Sequence, residues 1–215
     1  MLRQILIVSC VFAITLLGLR AFGVPMPGPI AISLSCIAAV VCVRAGGEPF
    51  AAIGLIRWPP MRTALVAVGC AVLGYIVAAV ATVVATRVLG WAPMQSGKIG
   101  AIAGNLPMLL GLLAIAWSTA AFGEELLFRG FLLGRLRGLL GDGPGFGIVA
   151  AFVQALLFGL AHAYQGPTGI LVTGLIGLVF GLLYLRLRVL WPLVIAHGLI
   201  DTVGLLALYA GVVPR

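Results

Sequence analysis

Apolar residues fill this 215-residue chain in long runs, cut at charged positions and at Pro/Gly-rich breaks. A bilayer-spanning helix takes about 20 mostly apolar residues, so the runs predict membrane helices. The first is expected near Ile5 to Leu19 and the second near Ile30 to Val43, separated by the turn-rich Gly23-Val-Pro-Met-Pro-Gly-Pro29. A loop carrying Arg44, Glu48, Arg57 and Arg62 leads to a third helix from about Thr63 to Thr86. After a connection from Arg87 to Asn105 that includes Lys98, a fourth run extends from Leu106 to about Leu140. The turn Gly141-Asp-Gly-Pro-Gly145 follows, and then helices near Phe146 to His162, Ile170 to Leu185 and Trp191 to Tyr209. The expected fold is an all-α polytopic transmembrane bundle of about seven spans, with the range six to eight open. No internal repeat is apparent, and the glycines are spread through the helices as close-packing residues would be.

Composition removes the soluble alternative. Hydrophobic residues make up 63% and charged residues 8% of the chain, about a third of the charge that a soluble surface requires. The net charge of +8 comes from basic residues scattered between apolar runs, without a dense patch interleaved with exposed aromatics, so no nucleic-acid partner is expected. Its meaning is topological, because loops on the cytoplasmic side collect Lys and Arg. With seven spans and the N-terminus inside, the inner segments hold nine basic residues (Arg3, Arg44, Arg57, Arg62, Arg129, Arg135, Arg137, Arg186 and Arg188) and the outer ones four (Arg20, Arg87, Lys98 and Arg215). An integral membrane protein with a cytoplasmic N-terminus is expected, in the plasma (inner) membrane if bacterial, its first helix uncleaved despite a leader-like Met-Leu-Arg-Gln start. Cys10, Cys36, Cys42 and Cys70 lack C-x-x-C spacing and a nearby histidine and read as small hydrophobes in helices.

The five acids are Glu48, Glu124, Glu125, Asp142 and Asp201, and the histidines are His162 and His197. Three of the acids and both histidines fall in predicted membrane segments, where an ionisable group is costly and marks a functional site by default. Glu124 stands 19 residues before Gly143, the centre of the Gly-rich turn, and His162 19 after it, so an antiparallel hairpin sets them at about one depth. Glu125 and Arg129, at i and i+4 with the acid first, are placed for a helical ion pair. Glu124 is turned about 100° from that face, which leaves it as the chemically available carboxylate. His197 and Asp201 also share a helix face at i and i+4. Phe158 lies one turn before His162 and can wall the site or simply pack; Tyr164 and Gln165 either reach the site or only mark the loop.

At Glu124-Glu125-x-x-x-Arg129, Phe158-x-x-x-His162 and His197-x-x-x-Asp201, in that order, the sequence resembles the CAAX-protease and bacteriocin-processing family of intramembrane peptidases, also called Abi or CPBP. The resemblance covers about Leu106 to Tyr209. It implies a catalytic core in 99–215, with three helices of unassigned role in 1–98. It implies that Glu124 and His162 activate a water for attack on a peptide carbonyl and that His197 and Asp201 stabilise the oxyanion, with Glu125, Arg129 and Phe158 in support. Asp201 departs from the frequent asparagine of the third motif. An ionised carboxylate cannot donate to an oxyanion, so Asp201 would be protonated, orient His197 or help bind a metal. A zinc ion on His162, His197, Glu124 and Asp201 is the alternative to metal-independent glutamate chemistry, and no H-E-x-x-H helix is present to decide for it. The implied partners are the lipid bilayer and a peptide or prenylated-protein substrate; the sequence is silent on oligomeric state. Two other functions fit the same residues: a proton- or cation-coupled transporter, against which stand the short loops and the lack of repeated halves, and a non-catalytic immunity or scaffold protein.

Overall fold

The computed structural model describes residues 1–95, 101–141, 143 and 145–212. Its long helices are α1 (Leu2–Ala21), α2 (Pro27–Ala45), α3 (Pro60–Val88), α4 (Leu106–Leu140), α5 (Phe146–Ala161), α6 (Gly166–Leu187) and α7 (Trp191–Tyr209). Six helices are long and apolar enough to cross a membrane, and α5 is a shorter apolar one. No strand occurs among the described residues. The molecule is an all-α polytopic bundle, consistent with about seven spans. Lys98, Asp142 and Arg215, used above to read the loops, lie outside the described residues.

Helix starts differ from those expected from the apolar runs alone. Proline occupies the first turn of α2, α3, α4, α6 and α7, where its missing N–H costs no hydrogen bond and its fixed φ suits the helix. So α2 begins at Pro27, inside what reads as a turn, and α6 begins at Gly166 rather than Ile170. Helix α4 starts under a side-chain cap, with Asn105 Oδ1 accepting from the Met108 amide at 3.1 Å. Its middle, Ala116–Glu124 and Leu126–Leu133, is wound in wide i→i+5 turns. Such turns are uncommon and are found disproportionately at functional sites.

Helix α5 packs on α6, α3 on α6 and α7, α1 on α2, and the middle of α4 on α7 and α2. The close approaches use glycine. A Cβ on Gly159 would stand 2.7 Å from the Ile170 carbonyl oxygen and 3.1 Å from Gly174 Cα, and one on Gly123 would stand 2.6 Å from Ile32 Cγ2. Backbone contact between α5 and α6 therefore depends on the missing side chain. A second tie crosses the helix ends: Arg135 Nη1 and Nη2 donate to the two Glu48 carboxylate oxygens at 3.0 and 2.8 Å, a fork matched to a carboxylate, and fasten α4 to the segment after α2.

One residue of the loop-charge count is misplaced. Arg129, counted above with the inner segments, is completely buried within α4, because it pairs with an acid one turn earlier instead of meeting water. It carries no topological information.

Candidate active site

Helix α4 turns two adjacent acids in different directions. Glu125 and Arg129 are both 0% exposed, with Arg129 Nη1 2.9 Å from Glu125 Oε1. The guanidinium lies over the Phe158 ring at 4.3 Å, and Nη2 is 3.5 Å from the Gly177 carbonyl oxygen of α6. A buried charge of this kind survives only when paired and hydrogen-bonded, and here one ion pair draws α4, α5 and α6 together. Glu124 faces elsewhere. Its Oε2 lies 3.9 Å from His162 Nε2 and is buried without a hydrogen-bond partner in the protein.

His162 caps the C-terminal end of α5. Its Nδ1 is 2.9 Å from the Phe158 carbonyl oxygen, and a carbonyl can only accept, so Nδ1 carries a proton and, in the neutral ring, Nε2 presents its lone pair towards Glu124. Phe158 packs against this ring at a centroid distance of 4.8 Å and edge-on against Phe128 at 4.9 Å. The aromatic pair walls the site from the apolar side, and Phe158 also covers Arg129.

The third motif joins the first through a contact that spacing within one helix cannot show. His197 Nδ1 lies 2.9 Å from Glu125 Oε1, the same oxygen that Arg129 binds. The carboxylate thereby holds the imidazole by one nitrogen, leaving Nε2 3.6 Å from Asp201 Oδ2. Glu125 is thus more than the partner of Arg129; it couples α4 to α7. Trp117 Nε1 donates to Thr202 Oγ1 at 3.1 Å, and Tyr75 of α3 donates to the Ile200 carbonyl at 3.0 Å, fixing α7 on both sides of Asp201.

Two further residues contribute that sequence reasoning missed. Gln154, completely buried in α5, donates from Nε2 to the Gly177 carbonyl at 2.8 Å, sharing that acceptor with Arg129. It is the lone amide in an otherwise apolar run, and a buried amide requires partners, so its isolation was the available signal. Cys36 of α2 lies against the Gly123 carbonyl at 3.4 Å, beside the Glu124 backbone, and carries no distinguishing sequence mark.

The structure therefore brings Glu124, His162, His197 and Asp201 to one centre with Glu125, Arg129 and Phe158 behind them. Glu124 faces His162, and His197 faces Asp201 and Glu125. Among the described residues no three His, Cys, Asp or Glu side chains are gathered closely enough to hold a metal ion, so the expected zinc ligands do not fit one ion in this arrangement.

Residues 106–203 match the family described as Type II CAAX prenyl endopeptidase Rce1-like. This stretch contains all three motifs and is what the chain shares with that family of membrane peptidases. No curated protein and no solved structure matches the chain.

Proposed function

We propose that this chain is an intramembrane endopeptidase that hydrolyses a peptide bond of a membrane-associated substrate, a CAAX-type prenylated C-terminus or a bacteriocin-like peptide. The observation that carries the reading is Glu124 Oε2, a buried carboxylate oxygen with no protein partner, 3.9 Å from His162 Nε2. That separation is too long for a direct hydrogen bond and suits a water oxygen about 2.8 Å from each atom. Structural duty explains Glu125, Arg129 and Gln154, whose partners lie in neighbouring helices. It does not explain Glu124.

In the proposed reaction Glu124 takes a proton from the water while His162 Nε2 orients it, and the new O–C bond forms at the scissile carbonyl. The carbonyl oxygen takes up the electron pair. His197, held through Nδ1 by Glu125, contacts that oxyanion through Nε2 when this nitrogen carries a proton, and a protonated Asp201, 3.6 Å from the same nitrogen, donates beside it. The C–N bond then breaks, and the proton held by Glu124 passes to the departing amine. The family match over residues 106–203 favours this class over the transporter and scaffold readings. No step is routed through a metal.

The test is cleavage of a quenched-fluorescent S-farnesylated peptide, or of a bacteriocin-like precursor peptide, by purified protein in liposomes. Glu124→Gln and His162→Ala are each expected to lower kcat by a factor of about 10² to 10⁴, the usual contribution of a positioned general base. Wild-type protein that cleaves neither probe, or variants as fast as wild type, would overturn the reading.

A further inference from the structure

The turn after α5 places an exposed aromatic beside His162. Tyr164 is 62% exposed, yet its ring lies 5.9 Å from that of His162, nearly parallel at 29°. Phe158 flanks His162 at 4.8 Å, so the imidazole has a buried aromatic neighbour and an exposed one. The Tyr164 hydroxyl oxygen accepts from Gln165 Nε2 at 3.2 Å, which fixes the phenol and leaves its own proton uncommitted. The turn is anchored as well: the Gln95 amide donates to the Gln165 carbonyl at 3.0 Å, and Thr168 Oγ1 donates to the Ala92 carbonyl at 2.7 Å. The segment after α3 and the Ala163–Gln165 turn thus form one tied rim beside His162.

A phenol in this position has no packing reason for its hydroxyl. An exposed aromatic that only covered His162 would need no polar tip, and a tip that only met solvent would need no tether from Gln165. We propose that Tyr164 is a substrate-positioning residue, its ring keeping His162 in place and its O–H donating to a backbone carbonyl of the bound peptide. The inference rests on the peptidase reading above. It predicts that the two halves of the side chain separate on mutation, because Tyr164→Phe keeps the ring and loses only the donor.

The experiment measures kcat and KM of wild type, Tyr164→Phe and Tyr164→Ala on the farnesylated peptide in liposomes, with imidazole NMR signals of folded, ¹⁵N-histidine-labelled protein alongside. The chain has two histidines, so a His197 variant assigns the His162 resonances. Tyr164→Phe is expected to raise KM about fivefold, the loss of one neutral hydrogen bond, with kcat within a factor of about two and His162 signals unmoved. Tyr164→Ala is expected to shift the His162 signals and to lower kcat as well. Wild-type KM in Tyr164→Phe, or unshifted His162 signals in Tyr164→Ala, would overturn the proposal and leave the peptidase reading standing. Wild-type protein that cleaves no peptide would overturn both.

Discussion

Helices α1 and α4 are both long and apolar enough to cross a bilayer, yet they hold their places by opposite means. Along α1 the only buried residue is Val8, and its one side-chain hydrogen bond to a neighbour among the described residues is from Gln4 Nε2 to the Cys42 carbonyl of α2 at 3.0 Å. Most of its apolar side chains face outward, where lipid is as good a solvent as protein. In α4 the residues Leu126, Leu127, Arg129, Gly130, Phe131 and Leu133 are all buried, and a wholly buried ion pair reaches helices α5, α6 and α7. Hydropathy alone ranks the two as equivalent spans. What separates them is the cost of placing charge in apolar surroundings: α4 accepts that cost and is committed to one set of neighbours, whereas α1 can shift at little cost.

The comparison breaks most visibly at Arg129. Replacing it by Met keeps the length of the side chain and leaves Glu125 charged and buried, with His197 as its one remaining polar partner. Leaving one partner of a buried pair costs about 3–5 kcal/mol, so Arg129→Met is expected to reduce the yield of folded protein sharply and to lower its thermal transition in detergent. Wild-type stability in this variant would show that the pair contributes little to the bundle.

A smaller effect is expected where α5 meets α6. The Cβ introduced by Gly159→Ala would collide with backbone at Ile170 and Gly174, and overpacking of this kind costs about 1–3 kcal/mol. Smallest of all is Val8→Ala in α1, expected below about 1.5 kcal/mol, in the range of modest methyl deletions. Thermal unfolding of the two variants checks the order, and a larger loss from Val8→Ala would contradict the distinction between a docked and a loosely held helix.

Much of the fold was legible because the bilayer imposes a length on each apolar run. Trp191 to Tyr209 was read with its observed bounds, and the starts of α2 and α6 were missed only because Pro27 and Pro167 were taken for breaks rather than first-turn residues. Within one helix, four-residue spacing was enough to anticipate the Glu125–Arg129 pair. Contacts between distant segments were not available in this way. Glu125 and His197 are 72 residues apart, and the shared carboxylate oxygen depends on how α7 is rotated against α4. Glu48 and Arg135, 87 residues apart, read as separate loop and boundary charges until the fold brought them together. The wide turns of α4 had no signal at all, because no residue type specifies them. The three motifs indicated which residues to watch, and geometry then distinguished the carboxylate with partners from the one without.

The most direct measurement compares wild type with Glu124→Gln, both purified and folded in liposomes, on the farnesylated and bacteriocin-like peptides, with zinc content determined and a chelator arm for each. The account predicts that metal-free wild type cleaves at its full rate and that Glu124→Gln is slower by a factor of about 10² or more. A folded Glu124→Gln protein that cleaves at the wild-type rate would contradict the assignment of Glu124 as the base, and activity lost with the metal would contradict the metal-independent mechanism.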